Sequence, residues 1–350
     1  MFSSPQAWPV PTRPRPIVLI GAGAIVRSAH LPAYRRLGLP VRGVFDVQRQ
    51  AALDTARHFE IQVVFDSVEQ ACSSPDVVFD VAVPGDQVLS VLEALPHGAA
   101  VLVQKPMGND LQAARRILET CRGRELTAAL NFQLRFSPNV LVVHDLIERG
   151  ALGEITDIEV RLQVRQPWEN WEFARRAPRL EILYHSVHYL DAIRRLAGEP
   201  LSVYCRAVAH PGMSGFADTR SSIILDYGDR LRCSLALNHT HAFGPAHQAS
   251  MLKVEGTAGA AMLTMGVNLD YPDGPPDSLE VTTGREWEGV PLRGSWFTEA
   301  FEGPMSNLQR FVAGEDDALI SPMADAIRTM ALVEACYVSS TSGGTPIPQP

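Results

Sequence analysis

Three side chains of this sequence could move protons, and each follows or occupies a predicted regular element. Lys105 comes directly after the apolar run "AVLVQ", which predicts a buried strand, and before Pro106. Because the carboxyl ends of strands line the ligand crevice of an open α/β sheet, we expect Lys105 to face a ligand, the alternative being a surface lysine in a loop. In the predicted helix "RLEILYHSVHYLDAIRRLAG", Tyr184 and His188 are four residues apart and share a face. His185 precedes His188 by three residues, so we interpret this polar stripe as the wall of a site, although a lone helical histidine is usually structural.

A glycine-rich turn follows the first predicted strand. In "IVLIGAGAIVRSAHLPAY", Gly21 permits a tight turn, and Gly23 lets a pyrophosphate approach the start of the next helix, whose N–H groups and dipole favour an anion. Asp46 comes at the end of the next strand, where its carboxylate would accept ribose hydroxyls and repel a 2′-phosphate. This favours NAD over NADP, although Arg49 is close in sequence. Val26 stands where a small residue is usual, so we expect the helix to be pushed outward; a nucleotide-type fold that has lost its ligand is the alternative.

The order of the predicted elements indicates two domains. Between residues 16 and 128, apolar runs alternate with helical patterns, which predicts parallel βαβ units in a doubly wound α/β sheet. From residue 129 to 350, one helix precedes runs with a two-residue period, which predict an α+β domain with an open, mostly antiparallel sheet and a hairpin turn at Tyr227-Gly228-Asp229. A last helix over about residues 322–341, with Ser321 as its N-cap, could pack back on the first domain.

Composition restricts the partners and the compartment. The formal net charge of −8 over 350 residues argues against a nucleic acid bound through a basic surface. No apolar run is long enough to span a bilayer. The proline-rich residues 1–15 are predicted to be a flexible lead-in without the apolar core of a signal peptide. The five cysteines are widely spaced and include no CxxC pair, so we expect thiols in a reducing cytoplasm.

Polar and aromatic residues after position 130 are candidates for binding a substrate. A guanidinium could clamp a hydroxyl or carboxylate, two tryptophans could lie against a sugar ring, and strand alternation would place His239 and His241 on one face. A metal site built from these histidines is a minor alternative, because no carboxylate or cysteine with ligand spacing accompanies them, and we predict none. The predicted substrate residues are Arg135, Trp168, Trp171, His185, Asn238 and His239.

Several of these motifs together resemble one family. The glycine turn with "HLPAY", "QKP" where "EKP" is usual, "NFQLRFSP" and the histidine helix are similar to the Gfo/Idh/MocA oxidoreductases, the glucose-fructose oxidoreductase and inositol dehydrogenase type, over about residues 17–347. The resemblance implies a Rossmann domain, a substrate domain on an open sheet, a nicotinamide cofactor and a sugar, polyol, inositol or sugar-acid substrate. It also implies that Lys105 and His188 serve the chemistry. The residues expected to contact the cofactor are Gly21, Gly23, Ala24, Ile25, Asp46, Val83, Pro84, Gln104, Lys105 and Asn131.

Two residues depart from the family's pattern. Gln104 replaces the glutamate of "EKP", which removes a negative charge that would help keep Lys105 protonated. Tyr184 replaces an aspartate four residues before the histidine. A phenol has a higher pKa than a carboxyl group, so Tyr184 would suit donating a hydrogen bond to a carbonyl oxygen.

The predicted function is hydride transfer between nicotinamide and a secondary alcohol or ketone. In oxidation His188 would accept the hydroxyl proton while Lys105 stabilises the alkoxide, and in reduction the roles reverse. A glycosidase that uses NAD as a transient oxidant and a non-catalytic NAD-binding sensor or regulatory protein are the alternatives. We expect a homodimer or homotetramer formed through the sheet of the second domain.

Overall fold

The computed structural model describes residues 4–344, so residues 1–3 of the predicted lead-in and 345–350 of the predicted second domain lie outside the described residues. The chain forms two compact units. The first contains residues 4–142 and 292–330, and the second contains residues 143–291 and 331–344. The first unit therefore includes a late segment of the chain, residues 292–330, in addition to the run expected to form the first domain.

The first unit contains a doubly wound parallel sheet, as predicted. Its six strands lie in the order β3-β2-β1-β4-β5-β6, and the strand order reverses beside β1, where α/β proteins of this type bind ligands. Strands β1, β4 and β5 are buried along their whole length, as expected for a sheet covered on both faces. The strands are β1 Ile17–Ile20, β2 Val41–Phe45, β3 Val63–Val64, β4 Val78–Val81, β5 Ala100–Gln104 and β6 Thr127–Asn131.

Side-chain caps begin two helices of this unit, α3 and α5. The carboxylate of Asp110 accepts a hydrogen bond from the Ala113 amide at 2.7 Å and caps α5, and Ser67 caps α3 in the same way. The helices that lie wholly in the first unit are α1 Leu31–Leu37, α2 Arg49–Phe59, α3 Val68–Cys72, α4 Val88–Ala94, α5 Leu111–Gly123 and α9 Glu302–Val312, with 3₁₀ turns at Gln133–Phe136 and Glu299–Phe301. A π-helical segment, Val26–His30, precedes α1.

The described part of the predicted lead-in contains no helix or strand and makes specific contacts within its unit. The Trp8 indole donates to Asp316 at 2.7 Å, and its ring lies edge-on to Phe136 with centroids 5.4 Å apart. The Arg15 amide donates to the Gln309 side chain at 2.8 Å. The expectation of flexibility rested on the prolines, which keep a chain extended but do not prevent it from packing.

The second unit contains an open, mostly antiparallel sheet, which confirms the α+β prediction. Eight strands lie in the order β14-β13-β12-β11-β7-β10-β9-β8, and only β7 and β10 are parallel neighbours. Strands β9 and β10 pair around Tyr227-Gly228-Asp229, so the predicted hairpin is confirmed. The strands are β7 Ile155–Gln163, β8 Ser202–Val208, β9 Arg220–Asp226, β10 Arg232–Asn238, β11 Ala249–Gly256, β12 Ala260–Thr264, β13 Ser278–Thr282 and β14 Glu288–Gly289.

The predicted histidine helix has two kinds of helical geometry. Ile182–Ser186 is a π-helix, and α8 Val187–Ala197 continues it as an α-helix that ends before Gly198. The remaining helices are α6 Pro138–Glu148, α7 Glu172–Arg176 and α10 Met323–Thr341, with 3₁₀ turns at Trp168–Asn170 and Gly266–Leu269. The helix α10 matches the predicted last helix. Ser321 was predicted to be its N-cap, but the Ser321 hydroxyl donates to the carbonyl of Leu130 on strand β6 at 2.7 Å. Over residues 4–344, no helix has the length and apolar character needed to cross a membrane.

Candidate active site

The two glycines of the first turn, Gly21 and Gly23, occur for different structural reasons. Gly21 has φ +106°, and a Cβ there would lie 2.3 Å from the Ala82 carbonyl oxygen, so only glycine fits. A Cβ on Gly23 would meet nothing within 4 Å, so the exposed side of the turn is open. Ala24 is exposed and Ile25 half-buried, and together they begin the helix that follows the turn. A turn that is tight at its base and open at its tip fits the approach of a pyrophosphate.

The Asp46 carboxylate hydrogen-bonds to the backbone of the turn and also faces solvent. One carboxylate oxygen accepts from the Ala22 amide at 2.7 Å, and the other accepts from the Gln48 amide at 2.8 Å. Each oxygen retains acceptor capacity, so the carboxylate can still accept ribose hydroxyls. Arg49 forms an ion pair with Asp66, which gives this guanidinium a carboxylate partner within the chain.

Val26 is fully buried, and the helix changes its geometry there. The Leu31 amide bonds to the Val26 carbonyl, five residues back, which is the hydrogen bond of a π-helix. The sequence predicted an outward displacement of the helix at Val26. The structure instead shows one wide turn, which lets a β-branched side chain be buried beside the strand.

A buried hydrogen-bond network lies behind the turn. The His30 ring, 1% exposed, has Nδ1 at 2.8 Å from the Asp80 carboxylate, and the Tyr34 hydroxyl donates to the same oxygen at 2.7 Å. Burial and then the charge of Asp80 raise the pKa of Tyr34 well above its ordinary value. His30 Nε2 lies 3.1 Å from the Gln104 side-chain nitrogen and 3.2 Å from that of Asn131. An imidazole that donates from Nδ1 to a carboxylate has Nε2 left as an acceptor, which matches two amide donors.

The predicted cofactor residues of the later strands fall into two groups. Gln104 and Asn131, at the ends of β5 and β6, are buried in the network with His30. Val83 and Pro84 follow β4, and a Val83 methyl lies 3.5 Å from the position of a Cβ on Gly21. Val83 and Pro84 therefore lie beside the glycine-rich turn, whereas Gln104 and Asn131 lie behind it.

Lys105 is the titratable group at the carboxyl end of β5. Its backbone amide donates to the Gln104 side-chain oxygen at 2.8 Å. Burial lowers the pKa of the Lys105 ammonium from 10.5 to about 8. The chain has 31 lysines and arginines, of which only Lys105 and Lys253 are lysines. An arginine stays charged at any ordinary pH, so a lysine here supplies a proton that can be exchanged near neutrality.

In the second unit, His188 is half-buried in the first turn of α8, and Tyr184 lies in the π-helix before it. The Tyr184 ring packs on Phe173, with centroids 4.9 Å apart. The prediction that Tyr184 and His188 share one face assumed α-helical spacing throughout. The π-helix breaks that spacing between them.

The predicted aromatic and polar substrate residues are partly used within the fold. Trp168 is 3% exposed, and its ring centroid is 5.6 Å from that of His239 and 5.8 Å from that of Trp171. Trp171 is half-buried and therefore the better candidate to contact a ligand. The Asn238 side-chain oxygen accepts from the Thr240 amide and hydroxyl at 2.9 and 2.7 Å.

Strand alternation does not relate His239 to His241, because β10 ends at Asn238. His239 Nε2 faces the Glu181 carboxylate at 3.1 Å. The His241 ring lies between the Gln163 amide and the Ala246 carbonyl, at 3.2 and 3.0 Å. The two histidines therefore have separate surroundings.

The Arg135 guanidinium makes its contacts within the first unit. Its guanidinium donates to the Ile320 carbonyl and to the Asp325 carboxylate, each at 2.6 Å, and its side chain is 4% exposed. These contacts tie the 3₁₀ turn after β6 to the segment before α10 and to the first turn of α10. We therefore leave Arg135 out of the substrate residues proposed below.

The sequence reasoning missed His30, Asp80 and Glu181. Asp80 is a single charge inside the apolar run "VVFDVAV", which is itself a signal that a partner must be buried with it. Glu181 precedes His185 by four residues, a spacing that brings two side chains together on a helix. The expectation that no carboxylate accompanies the histidines was therefore wrong at Glu181.

Comparisons with known proteins agree with this architecture. The model of the Gfo/Idh/MocA oxidoreductase family with an NAD-binding Rossmann fold matches residues 15–132, and that of the family's C-terminal domain matches residues 140–262. The chain is 24% identical over 347 residues to D-apiose dehydrogenase of Paraburkholderia graminis, covering 93% of this chain and 88% of the relative. It is 24% identical over 338 residues to inositol 2-dehydrogenase of Rhizobium meliloti, covering 92% and 95%.

A solved structure shows the same fold. A levoglucosan dehydrogenase in complex with NADH and levoglucosan superposes with a TM-score of 0.78 at 18% identity, covering 94% of this chain and 97% of that one. The two domain models together match more than half of the chain, in the order that the two sheets follow. The chain belongs to the Gfo/Idh/MocA family of oxidoreductases, with an NAD-binding Rossmann domain followed by the family's C-terminal domain.

Proposed function

We propose that this protein is an NAD-dependent dehydrogenase or reductase acting on a secondary alcohol or ketone of a sugar, polyol, inositol or sugar acid. The observation that carries the proposal is Lys105. It is a desolvated lysine at the carboxyl end of β5, in a chain that otherwise uses arginine almost throughout. A cation at this place can stabilise an alkoxide, and a pKa of about 8 allows it to give up its proton near neutral pH.

The cofactor residues of the first unit fit NAD. Gly21 and Gly23 would receive the pyrophosphate, and Asp46 the ribose hydroxyls. A carboxylate repels a 2′-phosphate, and the nearby Arg49 pairs with Asp66, which together favour NAD over NADP. When bound, the nicotinamide ring accepts or gives up the hydride.

The chain's own groups handle the proton. In oxidation, His188 accepts the hydroxyl proton while the Lys105 ammonium stabilises the developing negative charge on oxygen, and in reduction the transfer runs the other way. Tyr184, whose hydroxyl can donate without carrying a charge, would bind the substrate oxygen in place of the family's usual aspartate. Each role places one proton on one side chain, so each role can be tested by substituting that side chain.

The substrate class follows from the relatives' names and from one aromatic residue. The matched relatives act on D-apiose, inositol and levoglucosan, all carbohydrate alcohols. The half-buried Trp171 supplies an apolar surface of the kind that lies against a sugar ring. We also propose that the protein works in the cytoplasm as a homo-oligomer formed through the sheet of the second unit, where Tyr204 and Ile224 are 63% and 53% exposed.

The test is a substrate panel combined with one substitution. The wild-type protein is incubated with NAD and a series of aldoses, polyols, inositols, anhydrosugars, aldonates and aryl glycosides while the absorbance of reduced cofactor and the release of the aryl group are followed. Net formation of reduced cofactor supports the proposal. Release of an aglycone without net reduction would show a glycosidase, and tight NAD binding without either would show a sensor.

The Lys105→Ala variant then tests whether Lys105 takes part in the reaction. We expect turnover to fall by at least about 10²-fold, while the Kd for NAD changes by less than about threefold. Lys253→Ala is the matched control, because it removes the chain's other lysine, which pairs with Glu255 on β11. Full turnover in Lys105→Ala would refute the assignment.

A further inference from the structure

Glu181, His185 and His239 form a compact group within the second unit. Glu181 and His185 belong to the helical segment before α8, while His239 follows β10, so the fold joins them from distant parts of the chain. One possible ligand atom from each residue lies within 4.8 Å of the corresponding atoms of the other two. Within residues 4–344 this is the one group of three or more His, Cys, Asp or Glu side chains that converges in this way.

The carboxylate of this group is fully buried and is surrounded by groups without a permanent charge. Glu181 accepts hydrogen bonds from the Ser186 and Ser221 hydroxyls, the second at 2.5 Å, and faces His239 Nε2 at 3.1 Å. A second buried carboxylate, Asp218, accepts the Leu180 and Glu181 backbone amides at 2.8 and 3.0 Å. Two carboxyl groups are therefore buried close together in this interior, where a bound cation would offset the negative charge of ionised carboxylates.

We propose that Glu181, His185 and His239 bind a divalent transition-metal ion of the zinc class. Two imidazoles and one carboxylate are a donor set that such ions prefer, whereas magnesium and calcium prefer oxygen ligands. Zinc binds these atoms at about 2.0–2.2 Å, so its ligands lie roughly 3–3.5 Å from one another. The Glu181–His239 pair already has that separation, at 3.1 Å.

The third ligand, His185, lies beside the other two. His185 is partly exposed, and its ring centroid is 4.2 Å from that of His239 at an interplanar angle of 67°. One ring nitrogen of His185 already lies within 4.8 Å of the ligand atoms of Glu181 and His239. The exposed side of His185 also provides a path by which an ion can enter.

The surroundings resemble the outer shell of a metal site. The hydroxyls of Ser186 and Ser221 hold the Glu181 carboxylate in a fixed orientation, as hydrogen-bond donors to metal-bound carboxylates do. Trp168 packs on the His239 ring and shields it from solvent. Three protein ligands leave a fourth position for water or for an oxygen atom of a bound molecule.

The first test uses zinc itself as the probe. The protein is stripped with a chelator, checked for retained secondary structure by circular dichroism, and titrated with Zn²⁺ in competition with a chromophoric chelator. We expect one ion per chain, and we expect Co²⁺ to give the visible absorption of a low-symmetry site with nitrogen and oxygen ligands. The absence of saturable binding at one ion per chain would overturn the proposal.

Substitutions then assign the ligands. Glu181→Gln keeps the shape and one acceptor oxygen but removes the charge, and His185→Asn alters the partly exposed ligand with little risk to folding. Each should weaken zinc binding by at least about tenfold, because one removes the charge of a direct ligand and the other replaces an imidazole ligand. His241→Asn is the matched control, a histidine two residues from His239 with separate partners, and it should bind zinc like the wild type.

Two results would contradict the assignment. If His185→Asn binds zinc as tightly as the wild type, the ion is held elsewhere, whether or not Glu181→Gln folds. If His241→Asn loses zinc as strongly as His185→Asn does, the loss does not report on this group. In either case the buried contact between Glu181 and His239 is a hydrogen-bonded pair without a metal.

Discussion

The depressed pKa of Lys105 has consequences that can be measured without knowing the substrate. Only two lysines are present, so lysine labelled with ¹³C at the ε-carbon gives two resonances whose pH titration can be followed individually. We expect one of them to titrate at about pH 8, because burial disfavours the charged form of Lys105. Lys105→Met identifies that resonance by removing it. Two lysines that both titrate above pH 10 would refute the reasoning.

The same pKa predicts how stability depends on pH. The unfolded chain holds the Lys105 proton up to about pH 10.5, whereas the folded chain loses it near pH 8. Below pH 8 both states are protonated, so the folded state bears the full cost of a buried ammonium. Between pH 8 and 10.5 the unfolded state binds more protons, so the free energy of unfolding rises with pH and the cost disappears.

The size of this cost follows from the two pKa values. At 1.36 kcal/mol per pH unit, a change from 10.5 to about 8 corresponds to roughly 3 kcal/mol, and partial exposure of the side chain lowers this toward about 2 kcal/mol. Lys105→Met should therefore be more stable than the wild type at pH 7 by about 2–3 kcal/mol in urea unfolding. By pH 9.5 that advantage should shrink by about 1–2 kcal/mol. Lys253→Met should show neither effect, and a pH-independent gain in Lys105→Met would contradict the electrostatic explanation.

Three further substitutions test the site in the first unit. Gly21→Ala should destabilise the protein by at least about 2 kcal/mol in urea unfolding, because its Cβ would lie 2.3 Å from a carbonyl oxygen. Gly23→Ala should fold normally yet weaken NAD binding by at least about tenfold in calorimetry, since its Cβ enters only the open side of the turn; unchanged affinity would show that phosphate does not approach there. Gln104→Glu should destabilise the protein by about 1–3 kcal/mol in urea unfolding at pH 7, because an ionised carboxylate has no donor for His30 Nε2; unchanged stability would argue against the hydrogen-bond assignment.

Periodicity and position were enough to predict the two sheets, because both features are repeated many times along the chain. Alternation of strands with helices indicated the parallel sheet, and the two-residue period indicated the antiparallel one. The glycine turn, Asp46 and Lys105 were also predictable, since each is defined by its place at the end of a strand. These are local rules, and the structure follows them.

Contacts between distant residues could not be predicted in the same way. Nothing in the spacing of Arg135 shows that its guanidinium meets Asp325, about 190 residues later. Similarly, His239 meets Glu181 only because β10 ends beside the helical segment that carries the glutamate. The π-helix at Ile182–Ser186 is a further case, because a pattern of apolar residues does not distinguish a π-helical turn from an α-helical one.

Two unusual residues of the first unit, Val26 in the glycine turn and Gln104 in place of the family's glutamate, are both linked to His30. The π-helical segment begins at Val26 and ends at His30. The wide turn that accommodates the buried valine therefore also determines the position of the imidazole. There the ring donates to Asp80 and presents Nε2 to the Gln104 side-chain nitrogen, whereas an ionised glutamate would have no proton to donate to that nitrogen. The Gln104 amide therefore bonds to His30 through its nitrogen and accepts from the Lys105 amide through its oxygen. The loss of a negative charge next to Lys105 is thus explained by hydrogen bonding to a buried histidine, and it is consistent with a lysine whose pKa lies near 8.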